Sequence, residues 1–147
     1  MNIAGEAMTE SRGGEYWHRI DRDLGSVAGE NRFYALAPCG SLWYEGHFPG
    51  NPVLPGIAVL AMVKESILAA ENQQGRTIRM EGIRRVRFRL PVRPDDRLTV
   101  TFTLAAQGER LLYTFKVSLD GKMVCSGIFV GLLLPERSPF LEFLEKG

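Results

Sequence analysis

A chain of 147 residues suits one domain and is long enough to bury a hydrophobic core without covalent staples. Eighteen basic residues face 17 acidic ones, a formal net charge of +1, so the molecule as a whole is not built to sit on nucleic acid or an anionic membrane. Apolar content of 45% and charged content of 24% exclude a disordered chain and point to a globular one.

Residues 1–14 are polar and rich in small residues. With no basic start followed by an apolar run, they read as a loose tail rather than a signal peptide. The remaining residues, 15–147, read as a single domain. No apolar stretch reaches the length needed to span a bilayer. Trp17, Ile20 and Leu24 recur at helical spacing, which predicts a short helix over Tyr16–Leu24. Asn31–Pro38 follows as a strand, with Phe33 and Tyr34 as strand formers.

Ser41–Gly56 carries Gly46, Pro49, Gly50, Pro52, Pro55 and Gly56 at close intervals. Each proline drives its predecessor towards extended geometry. The segment therefore reads as an ordered loop, and a long loop inside a compact domain is usually functional. A helix is predicted from Gly56 to Gln74, with Gly75 as its stop. Ile57, Val59, Leu60, Met62 and Val63 make its first half apolar on nearly every side, which predicts burial all round.

Strands fill the remainder. Val86, Phe88 and Leu90 alternate with Arg85, Arg87 and Arg89. A turn over Pro91–Asp96 leads to the alternating Val100, Phe102 and Leu104. A second turn, at Gln107–Glu109, leads to Leu111, Tyr113, Phe115, Val117 and Leu119. Asp120-Gly121 is a hairpin turn. Met123–Leu134 is long and apolar, a strand covered on both faces, and Ser138–Lys146 is compatible with a last helical turn. Period-2 alternation over four consecutive strands after one helix predicts an α+β hot-dog fold, a curved antiparallel sheet wrapped around one long central helix. Such a sheet covers one side of its helix, so at least a dimer is expected.

Cys39 and Cys125 match no redox or metal spacing and read as free thiols of a reducing cytoplasm. The two histidines, His18 and His47, with no CxxC or HExxH pattern, leave no basis for a bound metal.

The stretch Gly46-His47-Phe48-Pro49-Gly50-Asn51-Pro52-Val53-Leu54-Pro55-Gly56 resembles the signature of the bacterial 3-hydroxyacyl-carrier-protein dehydratases of fatty-acid synthesis. Val86–Asp96 and Asp120–Cys125 resemble the family's later strand, turn and hairpin, so the likeness runs from about residue 30 to residue 134. The resemblance implies a hydro-lyase without cofactor, acting on thioesters of acyl-carrier protein or coenzyme A. In it a loop histidine takes a proton beside the thioester carbonyl, and a helix carboxylic acid protonates the departing 3-hydroxyl. The matching histidine is His47; read alone, it would be a ring holding a rigid loop by backbone bonds, and the whole motif favours the functional reading. Imidazole exchanges protons near neutrality. Phe48, Pro55, Gly56 and Ala61 are the expected substrate contacts. The Gly56 N–H, at the positive end of the helix, is suited to polarise the thioester carbonyl.

The resemblance places the family's carboxylate at position 61, and Ala61 carries none. Glu65 lies one turn on, about 5–6 Å further along the axis. It is either a displaced acid or the point where the helix emerges into solvent, and the latter is the ordinary reading. Glu45, two residues before His47, is a further carboxylate of the loop. The family also implies pairing of unlike hot-dog subunits as an alternative to a homodimer or an oligomer of dimers. A catalytically impaired thioester-binding subunit and a hot-dog thioesterase are the competing functions. Arg85, Arg87 and Arg89 share a strand face, either a docking surface for an acidic carrier protein or coenzyme A, or a solvated outer face. Without interleaved aromatics they do not suggest nucleic-acid binding.

Overall fold

The computed structural model describes residues 17–25, 29–44 and 53–135. The tail over residues 1–14 and the helical turn expected at Ser138–Lys146 lie outside them.

Among the described residues, six strands form one antiparallel sheet. They are β1 (Arg19–Arg22), β2 (Asn31–Leu36), β3 (Ile78–Phe88), β4 (Leu98–Gln107), β5 (Arg110–Leu119) and β6 (Lys122–Leu133). Their spatial order is β1-β2-β4-β5-β6-β3, so β1 and β3 are the edges. One long helix, α1 (Gly56–Gln73), crosses the inner face, and a short 3-10 turn at Leu42–Tyr44 precedes it. This is the hot-dog architecture expected from the alternation.

The alternation has a direct physical counterpart. Leu98, Val100 and Phe102 of β4 and Leu111, Tyr113, Phe115 and Val117 of β5 point inward and are buried. Phe102 packs against Phe33 of β2 and edge-on to Tyr113, at ring separations of 6.1 and 6.2 Å. Gly131 of β6 makes room for this layer, since a Cβ there would stand 2.7 Å from Ile78 Cγ2. Asp120 and Gly121 both take positive φ, 51° and 80°, as a tight two-residue hairpin requires.

Three expectations need correction. Residues 19–22 form an edge strand paired with β2, not part of a helix over Tyr16–Leu24. Only Ile20 of the supposed apolar face is buried; Trp17 is 38% and Leu24 86% exposed. The free edge of β2 offered this short segment a full ladder, which outweighed a weak helical spacing. The helix is not buried all round either. Ala58, Val59, Met62, Val63, Ile67 and Ala70 face the sheet, but Ile57 is 70% exposed because a single sheet covers one flank. Finally, β3 does not carry one unbroken row of arginines. A bulge lies between Arg84 and Arg87, and Arg85 has φ 56°, so the alternation shifts there.

The C-terminal end of α1 is tied to the middle of the sheet. Glu71 is almost fully buried and accepts a hydrogen bond from the Tyr113 hydroxyl. Its other oxygen accepts from Arg76 Nη2 at 2.8 Å. Gly75, with φ 76°, ends the helix as expected. Tyr113→Phe leaves one oxygen of a buried carboxylate without its donor. The substitution is expected to destabilise the fold by about 1–3 kcal/mol, seen as a lower urea midpoint at unchanged slope.

Candidate active site

The N-terminal end of α1 is held by the chain on either side of the signature loop. Before it, the 3-10 turn places Trp43 and Tyr44 against the core. After it, Leu54 donates its N–H to the Val92 carbonyl at 2.7 Å, which pins the last extended residues to the turn beyond β3. Pro55, extended at φ −60° and ψ 148°, is the helix N-cap and provides no side-chain hydrogen bond. Among the described residues no side chain caps the first N–H groups of α1, and they carry the partial positive charge of the helix end. Glu45, His47 and Phe48 lie outside the described residues.

A cleft of about 530 Å³ opens at this helix end, a size suited to a small organic group. Leu54, Gly56 and Val59 form one wall, and Phe88, Arg89 and Leu90 at the end of β3 form the other. The Phe88 ring lies so close to Gly56 that a Cβ there would meet its Cζ at 2.8 Å. Glycine is thus required for the close approach of ring and backbone. Sequence reasoning identified Gly56 and Arg89 but treated Phe88 only as a strand residue. Its lone signal was alternation with arginine, which does not reveal what a side chain will face.

Ala61 is half-buried on α1 and does not line this cleft. Glu65 does more than emerge into solvent. Its Oε2 lies 2.8 Å from Nε2 of His18, whose side chain is 8% exposed while that of Glu65 is 46% exposed. The other ring nitrogen of His18, Nδ1, accepts a hydrogen bond from the Trp43 indole Nε1–H at 3.0 Å. Trp43 also packs edge-on against Trp17, with ring centroids 4.8 Å apart. This His18–Glu65–Trp43 cluster was invisible in the sequence, since its members lie far apart along the chain and share no spacing. Among the described residues, no group of three or more metal-ligating side chains is gathered.

Of the three arginines singled out, Arg89 reaches the cleft, while Arg85 and Arg87 do not line it. Arg85 lies inside the bulge. All three are exposed.

The geometry defines a class: a hot-dog domain with a largely apolar cleft at the start of its one long helix. The comparisons with known proteins agree. Residues 30–128 match the ApeI-like family, ApeI dehydratase, and the chain belongs to that family. It is 31% identical over 121 residues to the 3-hydroxyacyl-[acyl-carrier-protein] dehydratase FabZ of Oenococcus oeni, covering 78% of this chain and 86% of the relative. Its fold is similar to that of the dehydratase heterocomplex ApeI:P from Xenorhabdus doucetiae, with a TM-score of 0.60 and 21% identity over 76% of this chain and 94% of that one. A thioesterase from Haemophilus influenzae has a TM-score of 0.68 at 13% identity, covering 92% of this chain and 91% of that one, and so shares the fold.

Two acids with buried protons bear on alkaline stability. Burial, reinforced by the carboxylates of Asp96 and Asp95, pushes the Tyr44 hydroxyl up to about 12. Burial pushes the Cys125 thiol up to about 11. Both hold their protons more tightly folded than unfolded. Their contribution is therefore complete below the ordinary values of 9 for the thiol and 10 for the phenol. It is lost as pH rises through about 11 and about 12. Thermal midpoints are expected to fall from about pH 9 upward. The Tyr44 hydroxyl is also buried without a hydrogen-bond partner among the described residues. Tyr44→Phe is accordingly expected to raise stability at neutral pH by about 1 kcal/mol and to flatten part of the alkaline loss in the same melts.

Proposed function

We propose that the protein is a hydro-lyase acting on 3-hydroxyacyl thioesters in acyl-chain synthesis, removing water to leave a trans-2-enoyl thioester. The observation that carries this reading is the complete Gly46–Gly56 motif in a member of the ApeI-like dehydratase family. The cleft at Gly56 supports it. In the proposed reaction the thioester carbonyl accepts a hydrogen bond from the Gly56 N–H, at the positive end of α1. This stabilises the negative charge that develops when His47 takes the proton from C2. Phe48, Pro55 and Ala61 are proposed to line the path of the substrate. The carrier is proposed to be an acyl-carrier protein, as the name of the Oenococcus oeni relative states for that enzyme. Arg89 is the arginine best placed for the phosphate of its pantetheine arm, and Arg87, exposed beyond the bulge, extends the basic surface.

His47→Ala is expected to lower turnover of 3-hydroxyacyl thioesters by roughly 10²–10⁴-fold. The measurement follows interconversion of 3-hydroxyacyl and trans-2-enoyl thioesters with protein free of the host's own dehydratase. Wild-type activity that survives the substitution undamaged removes His47 from the mechanism.

The uncovered flank of the helix and the β3 edge support an assembly. Ile57 is 70% and Phe88 49% exposed in the single chain, and β3 offers an unpaired backbone edge. We infer a second hot-dog chain at this face, either another copy or an unlike subunit. Ala61 favours the unlike subunit, since a partner with a carboxylate would complete a mixed site. The ApeI:P neighbour is itself a heterocomplex. If the neighbour is another copy, light scattering gives at least twice the chain mass and Ile57→Asp returns it to a monomer; if it is an unlike subunit, the chain alone stays at its own mass. A wild-type monomer at all concentrations excludes self-association. No helix among the described residues is long and apolar enough to cross a membrane; the proposed setting is the cytoplasm.

A further inference from the structure

We propose that the outer face of the sheet carries an anion site, built by Arg79, Arg84 and Arg110 around a bulge of β3, for a small molecule that bears a phosphate monoester. The site is separate from the cleft at Gly56 and stands independently of the hydro-lyase reading. Gly82 and Phe88 are six residues apart on β3, at most about 20 Å.

The pleat sets the face. On β6 the Phe129 ring packs against Phe115 at 5.4 Å, and Gly131 faces Ile78 and Tyr113, so both positions point to the core. Val130, between them, therefore points outward. Gly82 pairs with Val130, Arg84 with Ile128, and Arg79 and Arg110 with Leu132. These positions share the outer face, and with Glu81 they line a groove of about 550 Å³. Strand pairing along the β3 edge runs in the plane of the sheet and does not itself cover this face.

The bulge arranges the charges. Met80 pairs with Gly131 and Gly82 with Val130, so Glu81 is the extra residue between them. Its Oε2 accepts a hydrogen bond from Arg79 Nη2 at 3.1 Å, and its Oε1 lies 3.6 Å from Arg110 Nε. One carboxylate thus holds two guanidiniums and neutralises one of them. Arg84, two residues beyond Gly82, has no ion-pair partner among the described residues. Three guanidiniums and one carboxylate leave two positive charges around one hollow. Like charges gathered in this way repel, and no second carboxylate lines the groove to offset them.

The floor of the groove is bare and apolar. Val130 is 3% exposed, and a Cβ at Gly82 would meet nothing within 4 Å. An anion seated there trades part of its water for guanidiniums over an apolar base, where charges act on each other more strongly than in bulk solvent. Guanidiniums stay charged at every working pH, and their forked N–H donors match phosphate oxygens. Charge balance selects the ligand. A phosphate monoester carries about −1.5 to −2 near neutrality, which meets the two uncompensated charges. A diester or a single carboxylate carries half as much. The monoester has two sources: a free phosphorylated small molecule, or the 3′-phosphate of coenzyme A.

The test titrates inorganic phosphate into the full chain in phosphate-free buffer and reads the amides of Gly82, Arg84 and Val130 by nitrogen-15 NMR, with thermal melts to confirm that each variant folds. Saturable shifts are expected at these amides. Arg84→Gln is expected to weaken binding by about tenfold or more, as loss of a hydrogen bond to a charged group does. Gly82→Leu, whose side chain has room in the fold, fills the hollow and is expected to weaken binding as much with every charge retained. Lys116→Gln removes an exposed charge from the same outer face, opposite Ser126, and is expected to change binding by less than about twofold. Coenzyme A is then compared with 3′-dephospho-coenzyme A. Tighter binding of the former, lost in Arg84→Gln, assigns the phosphate to coenzyme A; equal binding assigns it to a free phosphorylated molecule. Absence of shifts at these amides overturns the site, as does a loss in Lys116→Gln equal to that in Arg84→Gln, or wild-type binding in Gly82→Leu. Succinate bound as tightly as phosphate overturns the choice of ligand. Turnover is not read, so none of these outcomes bears on the hydro-lyase reading.

Discussion

Helix α1 presses Ala58, Val59, Met62, Val63, Ile67 and Ala70 onto the inner face of the sheet, and the placement of the rest follows from that contact. Burial of this apolar surface is the main favourable term in such a domain. It is directional only because the two ends of the helix are fixed separately. At the C-terminal end the buried Glu71 is held by Tyr113 and Arg76. At the N-terminal end Leu54 is bonded to Val92, and Phe88 lies over Gly56. The axis cannot slide without breaking a buried polar bond at one end or a close ring contact at the other.

That fixed axis creates the site. The first turn of α1 faces the end of β3, and the space between them is the cleft. One sheet cannot enclose a helix that is apolar on all sides, so the uncovered flank, Ile57 above all, is left for a neighbour. The bulge at Arg84–Arg87 belongs to the same strand edge. It redirects the arginines so that Arg89, beyond it, reaches the cleft while Arg85 does not.

The chemistry departs from the family pattern at one position. A missing carboxylate at Ala61 would ordinarily leave an elimination with a base and no acid. One turn further along the helix, Glu65 is paired with the buried His18 at 2.8 Å.

Alternation of apolar and polar residues, the run of glycines and prolines and the long apolar segment determined the hot-dog architecture, the helix limits to within one residue, and the turns at Gly75 and Asp120-Gly121. These features are local: each depends on residues adjacent in the chain or at a fixed period. The signature motif likewise marked Gly56 and His47 without reference to anything distant. Only the tertiary structure decided that residues 19–22 pair as an edge strand, because the free side of β2 outweighs a helical spacing of three residues. Only it decided that Arg85 leaves the arginine row, because a bulge is set by how two strands register, not by one strand's composition. And only it joined His18 and Trp43 to Glu65, because a hydrogen bond between residues 47 positions apart exists once the helix has been laid on the sheet, and not before.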